Sequence, residues 1–473
     1  LLFVAAPLRR SGAFTVPDFC EMRLRSTRLR KLATAFVIMI GWLYLVPQLQ
    51  GAGLTLRTVT GAPYATGAVL VGVVVTANVA LGGMRSITFV QAFQYWLKLT
   101  ALLVPILFLL LHWQTDGRPA LAPPAGETFA KQTTVVFEQP ARLTFPDQST
   151  VDVPAHATKV FAAGTPIPAV SGSDVALGPD WLLPSASGLG QRGLLATYSL
   201  ILATFLGTMG LPHVVVRFYT NRDGAAARRT TLFVLGLVGL FYLLPTLYGV
   251  LGRVYTPALM MTGQTDAVVL VLPGAALGGG QLGRLLGALV AAGAFAAFLS
   301  TSSGLLTSVA GVLSTDVIGH GWRRLRSRPK AEVDGSVRDF RVAAIAGGIV
   351  PVLLAVHGAE LDVSQVVGLA FAVAASSFCP LLVLGIWWRG LTGTGAAAGV
   401  LVGGGAAVVS VVISLAGPAL TGWPAILIGE PAAWTVPLAF TVMVGVSVAT
   451  RRRVPVNVAT TMLRLHAPDS LRL

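Results

Sequence analysis

Apolar residues occur along this chain in long runs, separated by short polar segments rich in Lys, Arg, Gly and Pro. Ten of these runs are close to the roughly 20 residues that a helix needs to cross the hydrocarbon core of a bilayer. The pattern predicts an all-α polytopic membrane protein. The expected spans are residues 32–56, 63–82, 86–112, 191–214, 230–252, 284–315, 342–357, 363–387, 392–416 and 432–450.

The basic residues between these spans fall mainly on one side of the membrane. That side carries 25 of the 34 Lys and Arg residues, the opposite side carries 8, and Lys98 lies inside a span. The basic side holds the residues before 32, near 85, 215–229, 316–341, near 389 and after 450. Because basic loops stay in the cytoplasm, 215–229 and 316–341 are predicted to be cytoplasmic, in a bacterial plasma membrane.

Composition supports this reading and excludes several function classes. Hydrophobic residues make up 54% of the 473 residues and charged residues 11%, with a mean hydropathy of +0.75. The net charge of +15 comes from the cytoplasmic loops, so it does not indicate nucleic-acid binding. Two cysteines give no disulfide framework. Spans nearly free of Asp and Glu, with six scattered histidines, contain no catalytic or metal-binding constellation, so we expect no enzyme activity.

The polar segment 113–190 interrupts the succession of spans. It is rich in Pro, Gly, Ser, Thr and Asp, and Thr133–Phe137 and Thr150–Val153 have the composition of short strands. We predict an extracytoplasmic insertion that is partly β. Whether it acts as a cap, a sensor or decoration stays open.

A break in a spanning helix is predicted within Thr204–Pro212. Gly207, Gly210 and Pro212 fall within six residues, and such residues unwind or kink a helix. Broken helices in transporters expose backbone groups to a cavity near the middle of the membrane. A proline that simply caps a helix end explains this stretch equally well when it is considered alone.

Hydroxyl groups gather at residues 300–303, inside the apolar run 285–313. A hydroxyl in hydrocarbon is costly unless it is paired, and a hard cation takes oxygen ligands. On a helix, the Ser300 and Thr301 hydroxyls and the Ala297 carbonyl lie close enough to form half of a small-cation site. Hydrogen bonds to carbonyls one turn back, or close helix packing, explain the stretch more simply.

Lys98 is a single charge inside the span 86–112. An ionisable residue within the membrane is a functional candidate by default. The inner interface is within reach of its long side chain, however, so snorkelling is the interpretation that we favour.

Three blocks of residues together resemble the sodium:solute symporter family. They are Gly82–Ser86, Gly210–His213 with Arg217 and Phe218, and Ala297 with Ser300 and Thr301. The resemblance is strongest to the cation–acetate branch and covers the chain apart from 113–190. It implies the inverted-repeat (LeuT-like) transporter fold, here without its first core helix. Residues 1–112 would then be the remainder of the first repeat, 191–388 the second repeat, and 389–473 accessory helices with a cytoplasmic tail.

The resemblance also implies how the ion is bound. Sodium, the coupling ion, would take the Ala297 carbonyl and the Ser300 and Thr301 hydroxyls as ligands. A small anionic substrate is expected at the broken helix, because a kinked helix with free amides and a dipole end suits an anion. The substrate-binding candidates are Gln48, Thr204, Gly207, Thr208, Gly210, Pro212 and Phe371. His213 is a further candidate for the carboxylate, although a structural hydrogen bond is the favoured role.

The expected function is sodium-coupled uptake of a small monocarboxylate, such as acetate, propionate or pyruvate, by alternating access in the lipid bilayer. No obligate protein partner is evident. A proton-coupled monocarboxylate symporter, a sodium-coupled amino-acid symporter and a transporter-derived sensor remain alternatives. The chain begins with eight apolar residues, too few for a span. We interpret them as the tail of a span whose start is absent, so the chain as written is expected not to transport, whereas a full-length product would.

Overall fold

The computed structural model describes residues 1–117, 128–129, 132–137, 141–154, 157–166, 168–172, 191–256, 259, 265–319, 333–357, 363–417, 420 and 422–467. Only the backbone is described at residues 83–89, 133–134, 136, 169–172, 191–192, 265 and 333–336. Parts of the predicted insertion and of the loop 316–341, and most side chains of the Gly82–Ser86 block, therefore lie outside the described residues.

Sixteen α-helices form most of this part of the chain. They are α1 (Leu2–Ser11), α2 (Val16–Leu24), α3 (Thr27–Thr60), α4 (Tyr64–Thr115), α5 (Gln191–Gly210), α6 (Pro212–Tyr219), α7 (Gly224–Tyr255), α8 (Val268–Ala276), α9 (Gln281–Val312), α10 (Val333–His357), α11 (Val363–Trp387), α12 (Gly393–Gly399), α13 (Gly405–Ala416), α14 (Trp423–Gly429), α15 (Ala432–Ala449) and α16 (Val458–His466). A π-helical segment, Leu313–Ile318, extends α9, and another, Val400–Gly404, joins α12 to α13.

Within the described ranges, ten helical segments are long and apolar enough to cross a membrane. They are Thr27–Thr60, Tyr64–Gly82, Val90–Thr115, Gly193–Tyr219, Gly224–Tyr255, Gln281–Ile318, Val337–His357, Val363–Trp387, Gly393–Ala416 and Ala432–Ala449. Each overlaps one of the ten predicted spans, in the same order. The second and third are continuous within α4 (Tyr64–Thr115), so the separation expected near residue 85 is not a break in the backbone helix. The prediction of a multi-pass helical membrane protein is therefore confirmed.

Helix α11 is the central helix, buried along most of its length and packed against α3, α5 and α15. Its C-terminal end is held by Arg23 of α2. The Arg23 guanidinium donates to the carbonyls of Gly385 at 2.9 Å and Trp388 at 3.1 Å. Burial lowers the pKa of Arg23 to about 10, so the group stays charged at neutral pH. It satisfies carbonyls that lack a partner within the helix and opposes the negative end of the helix dipole.

The described part of the polar segment between α4 and α5 contains two small antiparallel sheets. Strands β1 (Thr133–Phe137) and β4 (Ala157–Phe161) pair, and β2 (Ala141–Thr144) lies between β3 (Thr150–Val153) and β5 (Ala169–Gly172). Alternating apolar side chains from β1 to β4 bury a separate small core. Strands β1 and β3 coincide with the two segments whose composition predicted strands.

A cluster of charges joins α2, α3 and the π-helical end of α9. Arg30 pairs with Asp18 at 2.8 Å, with Glu21, and with Asp316 at 2.6 Å. The Thr34 hydroxyl donates to the second oxygen of Asp316 at 2.6 Å. The Asp316 side chain is only 8% exposed, so Arg30 neutralises a charge that water reaches poorly.

Arg30→Met should therefore destabilise the fold by about 3–5 kcal/mol, because it leaves the Asp316 carboxylate buried without its cation. Arg28→Met is the matched control, since Arg28 lies on the same helix and is exposed. Thermal unfolding in detergent measures both variants. Equal melting temperatures for the two would show that the Arg30 cluster contributes no more than a surface charge.

Candidate ion and substrate site

The helix break lies at Leu211, between α5 and α6. Leu211 has an extended backbone (φ −69°, ψ 118°), and Pro212 is the first residue of α6. Proline at this position needs no hydrogen-bond partner for a backbone N–H and fixes a helical φ. The break is thus placed within the stretch Thr204–Pro212, where the glycines and the proline predicted it.

One face of α5 packs directly against the backbone of α11. A Cβ at Gly207 would lie 2.4 Å from the Phe371 carbonyl oxygen, and one at Gly210 would lie 2.4 Å from the Ala374 carbonyl oxygen. No real side chain fits at such distances, so both glycines permit close approach of the two helices. Three of the substrate-binding candidates, Gly207, Gly210 and Phe371, therefore lie close together. What holds them together is the packing of α5 on α11.

The two threonines of α5 point elsewhere. The Thr204 hydroxyl donates to the Leu200 carbonyl at 2.9 Å, and the Thr208 hydroxyl donates to the Thr204 carbonyl at 2.6 Å. Such bonds to the preceding turn satisfy a hydroxyl in an apolar helix. Thr204 is exposed on the outer face of the described structure and does not meet the two glycines.

An aromatic cluster adjoins the break. The Tyr44 ring of α3 lies 5.4 Å from the Phe371 ring and 5.5 Å from the His213 ring, between centroids. The buried Nδ1 atom of His213 has no hydrogen-bond partner among the described residues. The structural hydrogen bond favoured for His213 from the sequence is thus not found at this nitrogen. Gln48 lies one turn along α3 from Tyr44 and is half-buried.

The predicted cation ligands lie on consecutive turns of α9. The Ser300 hydroxyl donates to the Ala297 carbonyl at 3.1 Å, so two of the three oxygens are adjacent. Thr301 is half-buried, and within the described chain its hydroxyl has no partner. Ser302 and Ser303 are buried, and their hydroxyls are likewise unpaired among the described residues.

Two side chains of α4 contact the same serine. The Lys98 ammonium donates to the Ser300 hydroxyl at 2.9 Å, and the Gln91 amide donates to the Ser300 carbonyl at 2.7 Å. Lys98 therefore turns to α9, which corrects the preference for snorkelling to the interface. Gln91 was missed from the sequence, although Gln91, Gln94 and Lys98 form a polar stripe at helical spacing that could have indicated it.

The Gln91 side chain also joins α9 to the broken helix. Arg217 of α6 donates to the Gln91 amide oxygen at 2.6 Å. Gly304 leaves room for this contact, because a Cβ there would lie 3.3 Å from the Arg217 guanidinium. In the described part of the chain, neither Lys98 nor Arg217 forms an ion pair with a carboxylate. The arrangement places the half-buried Lys98 ammonium and the exposed Arg217 guanidinium on one polar network between α9 and α6.

The oxygens at Ala297, Ser300 and Thr301 have the chemistry that an alkali cation requires. A free Thr301 hydroxyl beside a serine and a carbonyl fits this role. The Ser300 hydroxyl, however, already accepts a hydrogen from the Lys98 ammonium. A metal cation could therefore use Ser300 only after Lys98 has left it, because two positive charges would otherwise share one oxygen.

Comparison with known proteins adds a family match. The model of the sodium:solute symporter family matches residues 1–120 and 176–403. The symporter YwcA of Bacillus subtilis is 30% identical over 448 residues, which cover 93% of this chain and 76% of that protein. The Monocarboxylic acid transporter of Corynebacterium glutamicum is 29% identical over 466 residues, covering 93% of this chain and 74% of that protein.

Among solved structures, a Na⁺-coupled sialic acid symporter in a substrate-bound, outward-open state has a similar fold. The TM-score is 0.54, with 14% sequence identity, and the match covers 93% of this chain and 83% of that one. At this identity the likeness concerns the fold, which agrees with the inverted-repeat architecture expected from the sequence.

Proposed function

The chain belongs to the sodium:solute symporter family, and we propose that the solute it carries with sodium is a small monocarboxylate such as acetate, propionate or pyruvate. Sodium-coupled solute transport across a bacterial plasma membrane follows from the family. The finer choice of substrate is supported by the similarity to the Monocarboxylic acid transporter, which extends over nearly the whole chain.

The main structural support is the polar network between the broken helix and α9. Arg217 reaches Gln91, Gln91 reaches the Ser300 carbonyl, and Lys98 reaches the Ser300 hydroxyl. Neither cation has a carboxylate partner in the described structure, and Lys98 is half-buried, so the positive potential of this region favours an anion.

His213 is the side chain that we propose holds the substrate carboxylate. It follows the break directly, its ring packs on Tyr44, and its buried Nδ1 atom has no partner in the described chain. A neutral imidazole can donate one hydrogen bond to a carboxylate oxygen. Of the earlier candidates, Pro212 directly precedes His213, and Phe371 contacts the same Tyr44 ring. Gln48 lies on the facing helix, whereas Gly207 and Gly210 are packed against the backbone of α11. Thr204 and Thr208 keep their hydroxyls on α5 and have the weakest support.

Sodium would be held by the Ala297 carbonyl and the Ser300 and Thr301 hydroxyls, and it would supply the positive charge whose gradient drives uptake. In the structure, Lys98 occupies Ser300. We propose that sodium and the Lys98 ammonium alternate at this hydroxyl. Gln91 donates to the Ser300 carbonyl and accepts from Arg217 of α6. Replacement of the Lys98 ammonium by sodium at the Ser300 hydroxyl would therefore occur at a residue that is linked to α6 through Gln91.

Uptake of labelled acetate into proteoliposomes tests the function, with protein expressed from its full coding sequence. An inward sodium gradient should drive accumulation, and a potassium gradient of equal size should not. Propionate and pyruvate should compete, whereas proline should not. Accumulation that follows a pH gradient without sodium would indicate the proton-coupled alternative, and competition by proline would indicate the amino-acid alternative.

His213→Phe should raise the KM for acetate by about tenfold or more, because a hydrogen bond to a charged group contributes about 1.5–3 kcal/mol. Phenylalanine keeps a ring against Tyr44. Tyr219→Phe is the control, since the Tyr219 hydroxyl is also buried and unpaired among the described residues but lies at the far end of α6. A KM for His213→Phe within twofold of the control value would remove His213 from the substrate site.

A further inference from the structure

A cavity of about 570 Å³ lies at the predicted cytoplasmic face, away from the transport site. It is formed by α1, the first turns of α7, the end of α11 and the C-terminal helix α16. Its size is that of an ordinary ligand pocket. The lining residues are Leu2, Phe3, Ala6, Pro7, Arg10, Gly224, Ala225, Arg228, Arg229, Leu232, Trp387 and His466.

The charged residues that line this cavity in the described part of the chain are all basic. Arg10 comes from α1, Arg228 and Arg229 from α7, and His466 from α16. The nearest acid along the chain, Asp223, uses its carboxylate to cap α7 by accepting from the Ala226 amide at 2.7 Å. The two neighbouring guanidinium groups of α7, Arg228 and Arg229, favour a phosphate or a similar anion.

The rest of the lining is apolar and continues onto the lipid-facing surface. Leu232, on α7, is 53% exposed. Beyond Leu232, α7 presents further exposed apolar side chains, beginning with Phe233. Trp387 packs edge-on against His466 at 4.8 Å, and an indole in this place is typical of the membrane interface. A soluble anion would use the arginines but would leave this apolar half unmatched.

We propose that the cavity binds an anionic phospholipid of the inner leaflet. The lipid phosphate is held by Arg228 and Arg229, and an acyl chain follows Leu232 and the exposed face of α7 into the bilayer. Basic pockets between helices on the cytoplasmic side have the chemistry for such headgroups. The lipid would fasten α1, α7 and α16 to one another at the interface, independently of the solute that the protein carries.

The test compares the unchanged protein with the double variant Arg228→Gln, Arg229→Gln. The control is Arg451→Gln, Arg452→Gln, which removes the same charge from exposed positions that do not line the cavity. Native mass spectrometry measures bound lipid, and thermal unfolding in detergent measures stabilisation by phosphatidylglycerol, phosphatidylcholine or inorganic phosphate.

Phosphatidylglycerol should bind and raise the melting temperature, phosphatidylcholine should not, and the cavity variant should bind phosphatidylglycerol at least tenfold more weakly than the control. Equal weakening in the control would show a general charge effect and overturn the proposal. Stabilisation by phosphate alone, equal to that by the lipid, would show a soluble-anion site instead. The melting temperature of the variant in phosphatidylcholine, compared with that of the unchanged protein in the same lipid, shows whether the variant is folded.

Discussion

Thr301→Ala is expected to raise the sodium concentration for half-maximal uptake by about 10- to 100-fold. The variant removes one oxygen ligand, and an interaction of a polar group with a charge contributes about 1.5–3 kcal/mol. Thr301 gives the cleanest test, because in the described structure its hydroxyl bonds to nothing that would also be lost. Sodium titration of acetate uptake measures the effect.

Thr301→Ser is the matched control, since it keeps the hydroxyl on the same helix, and its sodium dependence should stay near that of the unchanged protein. Ser302→Ala is a second control on the next residue, whose buried hydroxyl is unpaired in the described chain. The proposed role of Thr301 as a sodium ligand is wrong if Thr301→Ala and Thr301→Ser need the same sodium concentration for half-maximal uptake. Acetate uptake could still be sodium-coupled in that case, through other ligands.

Lys98→Met should tighten sodium binding at least tenfold. Two unit charges about 4 Å apart repel each other by about 4 kcal/mol at an effective dielectric constant of about 20, so an ammonium on Ser300 competes with sodium for that oxygen. Methionine keeps the length of the side chain but has no charge. Sodium-dependent stabilisation against heat, measured without substrate, reports binding separately from transport.

Lys98→Arg keeps the charge and should keep weak sodium binding. An unchanged sodium affinity in Lys98→Met would mean that the ammonium leaves Ser300 at no cost. A complete loss of the sodium response in Lys98→Met would mean that Lys98 supports the site and does not compete for it. Either result would contradict the proposal that sodium and the Lys98 ammonium alternate at the Ser300 hydroxyl.

Local sequence sufficed for much of the fold. Ten spans follow from apolar runs of membrane length, because the bilayer requires every backbone group of a spanning segment to be satisfied within a helix. The break at Leu211 follows from Gly210 and Pro212, whose backbone properties are local. Strands β1 and β3 were also predictable, since β-branched and apolar side chains in a short run bounded by turns suit a strand.

The partners of the polar side chains needed the tertiary structure. Lys98 and Ser300 are 202 residues apart, and Arg30 and Asp316 are 286 apart, so no local pattern relates them. The sequence could place a hydroxyl group or a charge inside a span. It could not say which face of the span meets which helix, because helix rotation and depth are set by packing, as where Gly207 lets α5 approach α11.

The sequence by itself thus determined that the protein is a multi-pass helical membrane protein, with ten segments of membrane-spanning length in the described ranges, where one helix breaks and which oxygens have the chemistry for a cation. Tertiary structure alone decided that Lys98 donates to one of those oxygens, that Gln91 joins Ser300 to the broken helix, and that the α5 glycines face α11. The reason is physical: hydropathy and backbone preference act within a few residues, whereas the pairing of buried polar groups depends on how separate helices pack.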